Sequence, residues 1–156
     1  VASTLFVVCE LNGEEYGIDA IAVKGILRPQ KFPLRKVPGF PKQIEGMINL
    51  RGQINYIINL GTKFGLQETK ITDDSKFVML NVGSVIGCIV DEVTDIVSIA
   101  DEDLQSAPTF LCSTSAKYLK GIGKVEDRMI IILDPEQLLS MEEYEVITAS
   151  QDIASA

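Results

Sequence analysis

Arg51 is the residue whose type and setting come nearest to a chemical site. It stands beside Gly52 between two runs of β-formers, in the block 46–60. At such a turn a long guanidinium projects and donates several hydrogen bonds in a fixed fork. Two compatible roles suit it: bonding carbonyls across a seam inside the molecule, or contacting a partner. Other chemistry finds little support. There is no histidine, so serine–histidine and cysteine–histidine catalysis and a histidine general base are excluded. Gly121-Ile122-Gly123-Lys124 joins glycine and lysine but lacks the phosphate-loop spacing and the following Ser or Thr. Asp101-Glu102-Asp103 lacks the alternation and the turn glycine of a calcium loop, and reads as a solvated turn. Cys9, Cys88 and Cys112 are far apart and show no metal-site spacing. They read as small buried hydrophobes in a reducing compartment. Tyr56 and Tyr118 are either interface anchors or partly buried packing residues. No metal or cofactor is expected.

The elements that must position Arg51 are short strands. Residues 3–11 are rich in β-formers, Asn12-Gly13 suits a tight hairpin, and residues 15–19 read as the return strand. Residues 20–23 suit a helical turn ended by Gly25, and Ile26-Leu27 reads as extended. Residues 30–43 hold Pro33, Pro38, Gly39 and Pro41 and read as a surface loop. Residues 47–50 and 53–60 make strand, Gly52 turn and strand, and the polar stretch 67–76 is a lobe boundary. Residues 77–82 and 85–90 form a hairpin over Gly83-Ser84, and 91–97 continue outward. Residues 101–110 read as a loop or helical turn. A further hairpin spans 119–133, with its turn at Glu126-Asp127. Residues 135–144 read as helical, capped by Asp134 with Pro135 in the first position. Residues 148–156 read as a frayed tail. Strands dominate and glycine turns recur every eight to twelve residues, which favours small barrels or a sandwich.

The pattern repeats. Gly17 falls on Gly87, Val23 on Val93 and Ile26 on Ile96; further on, Gly46 falls on Gly121, Asn59 on Asp134 and Phe64 on Leu139. These offsets of seventy and seventy-five imply a duplicated scaffold with a seam between lobes, a common place for a groove. Its lobes are expected at 12–68 and 76–140 within a single domain over 1–156, with terminal segments free to cross between them. Arg51-Gly52 falls on Glu126-Asp127, so the arginine is not part of the shared frame. The lobes also differ in charge. Lys24, Arg28, Lys31, Arg35, Lys36, Lys42 and Arg51 face only Glu45 in the first, while Asp91, Glu92, Asp95, Asp101, Glu102 and Asp103 run uninterrupted by cations in the second. This dipole suits steering of protein partners, or reflects two solvated faces.

The chain's 156 residues suffice for one domain or two small lobes. A chain of that size buries roughly 68–70% of its unfolded surface and needs no metal or disulfide staple. Hydrophobic residues at 46% and charged ones at 23% are ordinary globular values. The net charge of −8 argues against nonspecific nucleic-acid binding. The longest apolar runs are too short to span a bilayer, no signal peptide is visible, and the chain reads as cytosolic.

In this order and spacing, Glu15-Tyr16-Gly17-Ile18-Asp19, the block 46–60, residues 87–97 and Tyr118-Leu119-Lys120-Gly121 through Leu133-Asp134 resemble the CheW-type coupling domain of bacterial chemotaxis. The resemblance covers about residues 5–139. It implies an all-β fold of two SH3-like five-stranded barrels around a shared hydrophobic seam, with short helices. It implies a non-enzymatic adaptor, monomeric alone, that is recruited from the cytoplasm to membrane-associated receptor arrays. Its implied partners are the cytoplasmic tip of methyl-accepting chemoreceptors and the regulatory domain of the histidine kinase CheA. A groove between the lobes would bind receptor through Val23, Gly25, Ile26, Leu27 and Arg51, and Phe110 matches a kinase-facing position. A CheW-like domain of a receiver-linked adaptor, or of the kinase itself, is a rival within the family. An enzyme using carboxylates such as Asp91 at the lobe seam is a rival outside it. This chain departs from the family pattern at Gly25, where an acidic residue is frequent, and at Tyr56, where proline is common.

Overall fold

The computed structural model describes residues 2–36, 38–67, 69–106 and 118–138. The described residues form eleven strands: β1 (Ser3–Leu11), β2 (Glu14–Asp19), β3 (Val23–Leu27), β4 (Ile44–Leu50), β5 (Gln53–Asn59), β6 (Lys76–Asn81), β7 (Val85–Val90), β8 (Glu92–Ala100), β9 (Leu104–Ser106), β10 (Leu119–Val125) and β11 (Arg128–Leu133). One α-helical turn, α1 (Leu60–Lys63), follows β5, capped by Asn59, whose side chain accepts from the Thr62 N–H. No helix among the described residues is long and apolar enough to cross a membrane.

Two sheets hold these strands. Barrel I has the order β3-β6-β7-β5-β4, and barrel II the order β8-β1-β2-β11-β10-β9. The sheets do not follow the lobe boundaries expected at 12–68 and 76–140. The repeat explains why. Unit one is β1 to β5; unit two is β6, β7, β8, β10 and β11. Each barrel takes the first hairpin of one unit and the last three strands of the other. In barrel I, β5 pairs in parallel with β7, Tyr56 opposite Ile86 and Ile57 opposite Gly87. In barrel II, β11 pairs in parallel with β2, Ile131 opposite Tyr16 and Ile132 opposite Gly17. The same offsets of seventy and seventy-five turn one set of pairs into the other, so the exchange preserves register residue for residue.

Irregularities repeat as well. The β3–β6 ladder slips between Val23 and Gly25, leaving Lys24 as a bulge. The β1–β8 ladder slips at the equivalent point, leaving Thr94 between Val93 and Asp95. Gly46 and Gly121 let a crossing chain approach closely: a Cβ there would collide with the carbonyl oxygens of Arg35 and Gln105 respectively.

Alternation along the strands divides the apolar side chains among three cores. On β6, Phe77 and Met79 join Ile48, Ile57 and Ile89 inside barrel I. Phe6 and Val8 on β1 join Ile99, Ile130 and Ile132 inside barrel II. The opposite faces make the seam, where Cys9, Leu11, Tyr16 and Ile18 meet Tyr56, Ile58, Val78, Leu80, Ile86 and Cys88. Complete burial of such a side chain contributes about 1.5–3 kcal/mol, so the seam joins the barrels as firmly as each is held within. Cys9 and Cys88 are buried there. Burial, with Asp91 nearby, pushes the Cys9 thiol up to about 12. Cys112 lies outside the described residues.

Candidate functional site

The tip of the β4–β5 hairpin presents Arg51. Arg51 and Gly52 have φ of 53° and 83°, left-handed values that match the twist of a two-residue hairpin. Asn49 braces the turn, its Oδ1 accepting from the Gly52 N–H at 2.9 Å. Glu126 at the tip of the β10–β11 hairpin has φ 55°. The unusual backbone therefore belongs to the shared hairpin, and only the side chain distinguishes the two tips.

Gly25, Ile26, Leu27 and Arg51 line one open groove of about 440 Å³ on barrel I, completed by Lys24, Leu50, Gln53, Asn55, Met79 and Val85. Four of the five residues expected to contact the receptor thus come together. Val23 begins the same strand but packs on the seam core. Phe110 lies outside the described residues. The groove was expected between lobes 12–68 and 76–140; its lining draws Met79 and Val85 from the second stretch and the rest from the first, and all of it belongs to barrel I or to its hairpin tip. Among the described residues the seam is a cluster of buried apolar side chains.

Ile26 is 41% exposed although it is a large aliphatic residue, and Ile54 beside the groove is 40% exposed. Asn55 is 5% exposed and occupies the place that Ile130 fills in the core of barrel II. Its Nδ2 makes one long bond, to the Gln53 carbonyl at 3.4 Å. Among the described residues Asn55 Oδ1 has no hydrogen-bond donor, which leaves a buried amide facing the groove with capacity to spare. Neither Lys24 nor Arg51 makes an ion pair within the described residues.

The equivalent place on barrel II is also an open hollow of about 440 Å³, but Glu15, Asp95 and Arg128 line it with charge. Arg128 opens β11 and is gripped from two strands. Its Nε donates to Glu15 Oε1 and Oε2 at 3.2 and 3.1 Å, and Nη2 also pairs with Glu15 Oε2. Nη1 and Nη2 donate to Asp95 Oδ2 and Oδ1 at 2.9 and 3.0 Å. Bonds from Arg128, with a further one from Thr94, hold the Asp95 carboxyl below its usual range, and the Arg128 guanidinium is raised in turn. Residue by residue, Arg128, Glu15, Asp95 and Thr94 fall on Gln53, Val85, Gly25 and Lys24 of the groove. The sequence repeat already held this correspondence; its meaning needed the pairing of strands far apart in the chain.

The expectations about catalysis meet little here. Asp91 accepts from the Asn12 N–H at 2.8 Å and so braces the β1–β2 turn. Asp101, Glu102 and Asp103 form an exposed 3₁₀ turn. Among the described residues no group of three His, Cys, Asp or Glu side chains is placed to hold a metal ion.

Paired SH3-like barrels, a packed seam and an open groove beside Arg51 define a binding module of the β-barrel class. A model of the CheW-like domain matches residues 5–143, and the chain belongs to that family. It is 36% identical over 143 residues to a chemotaxis protein CheW of Klebsiella aerogenes, covering 91% of this chain and 85% of that one. Identity to a chemotaxis protein CheW of Bacillus subtilis is 34% over 137 residues, covering 87% and 86%. The crystal structure of the scaffolding protein TtCheW from Thermoanaerobacter tengcongensis superposes with a TM-score of 0.82 at 30% identity, covering 91% of this chain and 96% of that one.

Proposed function

We propose that the protein is a non-enzymatic adaptor of bacterial chemotaxis that couples chemoreceptor cytoplasmic tips to the histidine kinase CheA. The observation that carries this reading is a match over nearly the whole chain to chemotaxis proteins of that family, joined to the superposition on a scaffolding protein. The rival placement in a larger kinase or receiver-linked protein has no comparable support. The adaptor works in the cytoplasm, at receptor arrays.

Its mechanism is geometric. A receptor helix lays apolar anchors into the barrel I groove, on Ile26 and Leu27, with Gly25 on the floor, Arg51 at the rim and Val23 behind. Helix-in-groove recognition requires anchors at helical spacing on the partner and an apolar trough to receive them. Phe110 contributes to binding the kinase regulatory domain. Several modest contacts acting together let the assembly be both firm and adjustable. Co-sedimentation with receptor cytoplasmic fragments and with the kinase tests the proposal. Binding to both is expected, and binding to neither overturns it.

A further inference from the structure

The two barrels place the same backbone around two opposite electrostatic arrangements. In barrel II the hollow carries its own ion pairs: the Arg128 cation is held by Glu15 and Asp95. In barrel I each member of that clamp is replaced by a neutral residue, Gln53, Val85 and Gly25. The charges that remain are Lys24 on the bulge and Arg51 on the hairpin tip, both exposed. Nothing in the backbone demands glycine at position 25. Its φ is not left-handed, and a Cβ there would meet no atom within 4 Å. A side chain of the length of Asp95 would fit, and would put a carboxylate where barrel II has one.

We propose that the barrel I groove is selective for a protein segment carrying a carboxylate side chain beside its apolar anchors, and that Gly25 determines this selectivity by leaving room for that carboxylate. This rests on the adaptor reading of the same groove and names the chemistry of the segment it takes. Arg51 and Lys24 supply the positive field that Arg128 supplies in barrel II, and here no carboxylate among the described residues neutralises it. The buried Asn55 amide offers a hydrogen bond at the groove wall, where barrel II carries an isoleucine. Between the neutral replacements, the two cations without an ion pair among the described residues and the spare amide, the groove is complementary to an acidic side chain and is not self-satisfied. A segment without an acidic residue would leave the cations without a partner, and one with a cation would meet repulsion.

The test uses the full chain and a receptor cytoplasmic fragment, with binding measured at low and high salt. Gly25→Asp installs in barrel I the carboxylate that barrel II already has. It is expected to weaken binding roughly tenfold at low salt, and to flatten the salt dependence, because the internal acid competes with the partner's. Gly25→Ala adds a methyl group without charge and is expected to weaken binding less than Gly25→Asp and to keep the salt dependence of the unaltered protein. Equal binding and equal salt dependence of Gly25→Asp and the unaltered chain would overturn the inference and leave the adaptor reading intact. Equal weakening by Gly25→Ala would also overturn it, since bulk rather than charge would then govern. Failure of the unaltered chain to bind any receptor fragment would remove the adaptor reading, and this inference with it. Melting temperatures of both variants separate these outcomes from misfolding.

Discussion

Barrel I and barrel II share strand order, register, bulges and hairpin tips, yet the hollow on one is lined in part by apolar residues and the hollow on the other by a clamped ion cluster. The architecture is common to both, so it cannot be what makes one of them a binding surface. The difference lies in a handful of side chains at corresponding places: Arg128 against Gln53, Glu15 against Val85, Asp95 against Gly25, Ile130 against Asn55 and Glu126 against Arg51. In barrel II these groups satisfy one another. In barrel I they leave apolar surface, cations without an ion pair among the described residues and a buried amide, which are the marks of a surface completed by something else.

The comparison can be broken or sharpened in several ways. The largest effects should fall equally on the two barrels. Ile57→Ala in barrel I and Ile132→Ala in barrel II remove buried side chains at corresponding positions and should each cost about 2–5 kcal/mol in urea unfolding. Because each barrel borrows a hairpin from the other unit, fluorescence and circular dichroism should report one transition in both variants. Separate transitions would mean that the barrels are independent. Gly46→Ala and Gly121→Ala drive a methyl group into a backbone carbonyl and should each cost about 2–3 kcal/mol. Tolerance at one site only would break the equivalence of the two crossings.

Smaller effects should divide the barrels. Arg51→Glu should weaken receptor-fragment binding about tenfold, or about 1.4 kcal/mol, while the melting temperature moves by no more than a few degrees. A collapse in stability would make Arg51 a structural residue. Arg128→Met should do the reverse, costing up to about 1 kcal/mol of stability because the clamp is partly exposed, with binding unchanged. The smallest effect is its pH dependence. The folded Asp95 carboxyl lies below its unfolded value, so its contribution is fully present above the ordinary carboxylate range, near pH 4, and fades as pH falls through the lower folded value. The stability gap between the unaltered protein and Arg128→Met should therefore narrow at pH 3 relative to pH 7.

Much of the barrel scaffold was legible in local patterns. Asn12-Gly13 and Arg51-Gly52 mark hairpins because both need left-handed backbone, and alternating apolar residues mark the strands they join. Gly25 reads locally as the end of a helical turn. It lies instead inside β3, because pairing with Met79 carries the strand through it. β9 escaped notice: three residues, Leu104–Ser106, are extended because β10 pairs with them, and no period shows in so short a run. The helix expected over 135–144 begins as a 3₁₀ turn at Pro135–Gln137, capped by Asp134 as its sequence implies; most of the remainder lies outside the described residues. The exchange of hairpins was hidden for a deeper reason. Either hairpin has the same apolar alternation, so local sequence does not say which unit it will join. The groove shared that fate. Ile26, Leu27 and Arg51 drew attention, while Met79, Val85 and Asn55 looked like ordinary strand residues until the fold brought five strands around them.

The exchanged hairpins also bear on how such a molecule could arise. Two separate chains, each carrying one unit, would make the same pair of barrels by swapping their first hairpins, as domain-swapped partners do. The present protein is that dimer with a tether, the segment from the end of α1 to the start of β6, which links what would otherwise be two subunits. Tethering frees the halves from symmetry. A symmetric dimer must change both copies of a site together, whereas here one could keep the Arg128 clamp while the other lost it and became a place to bind.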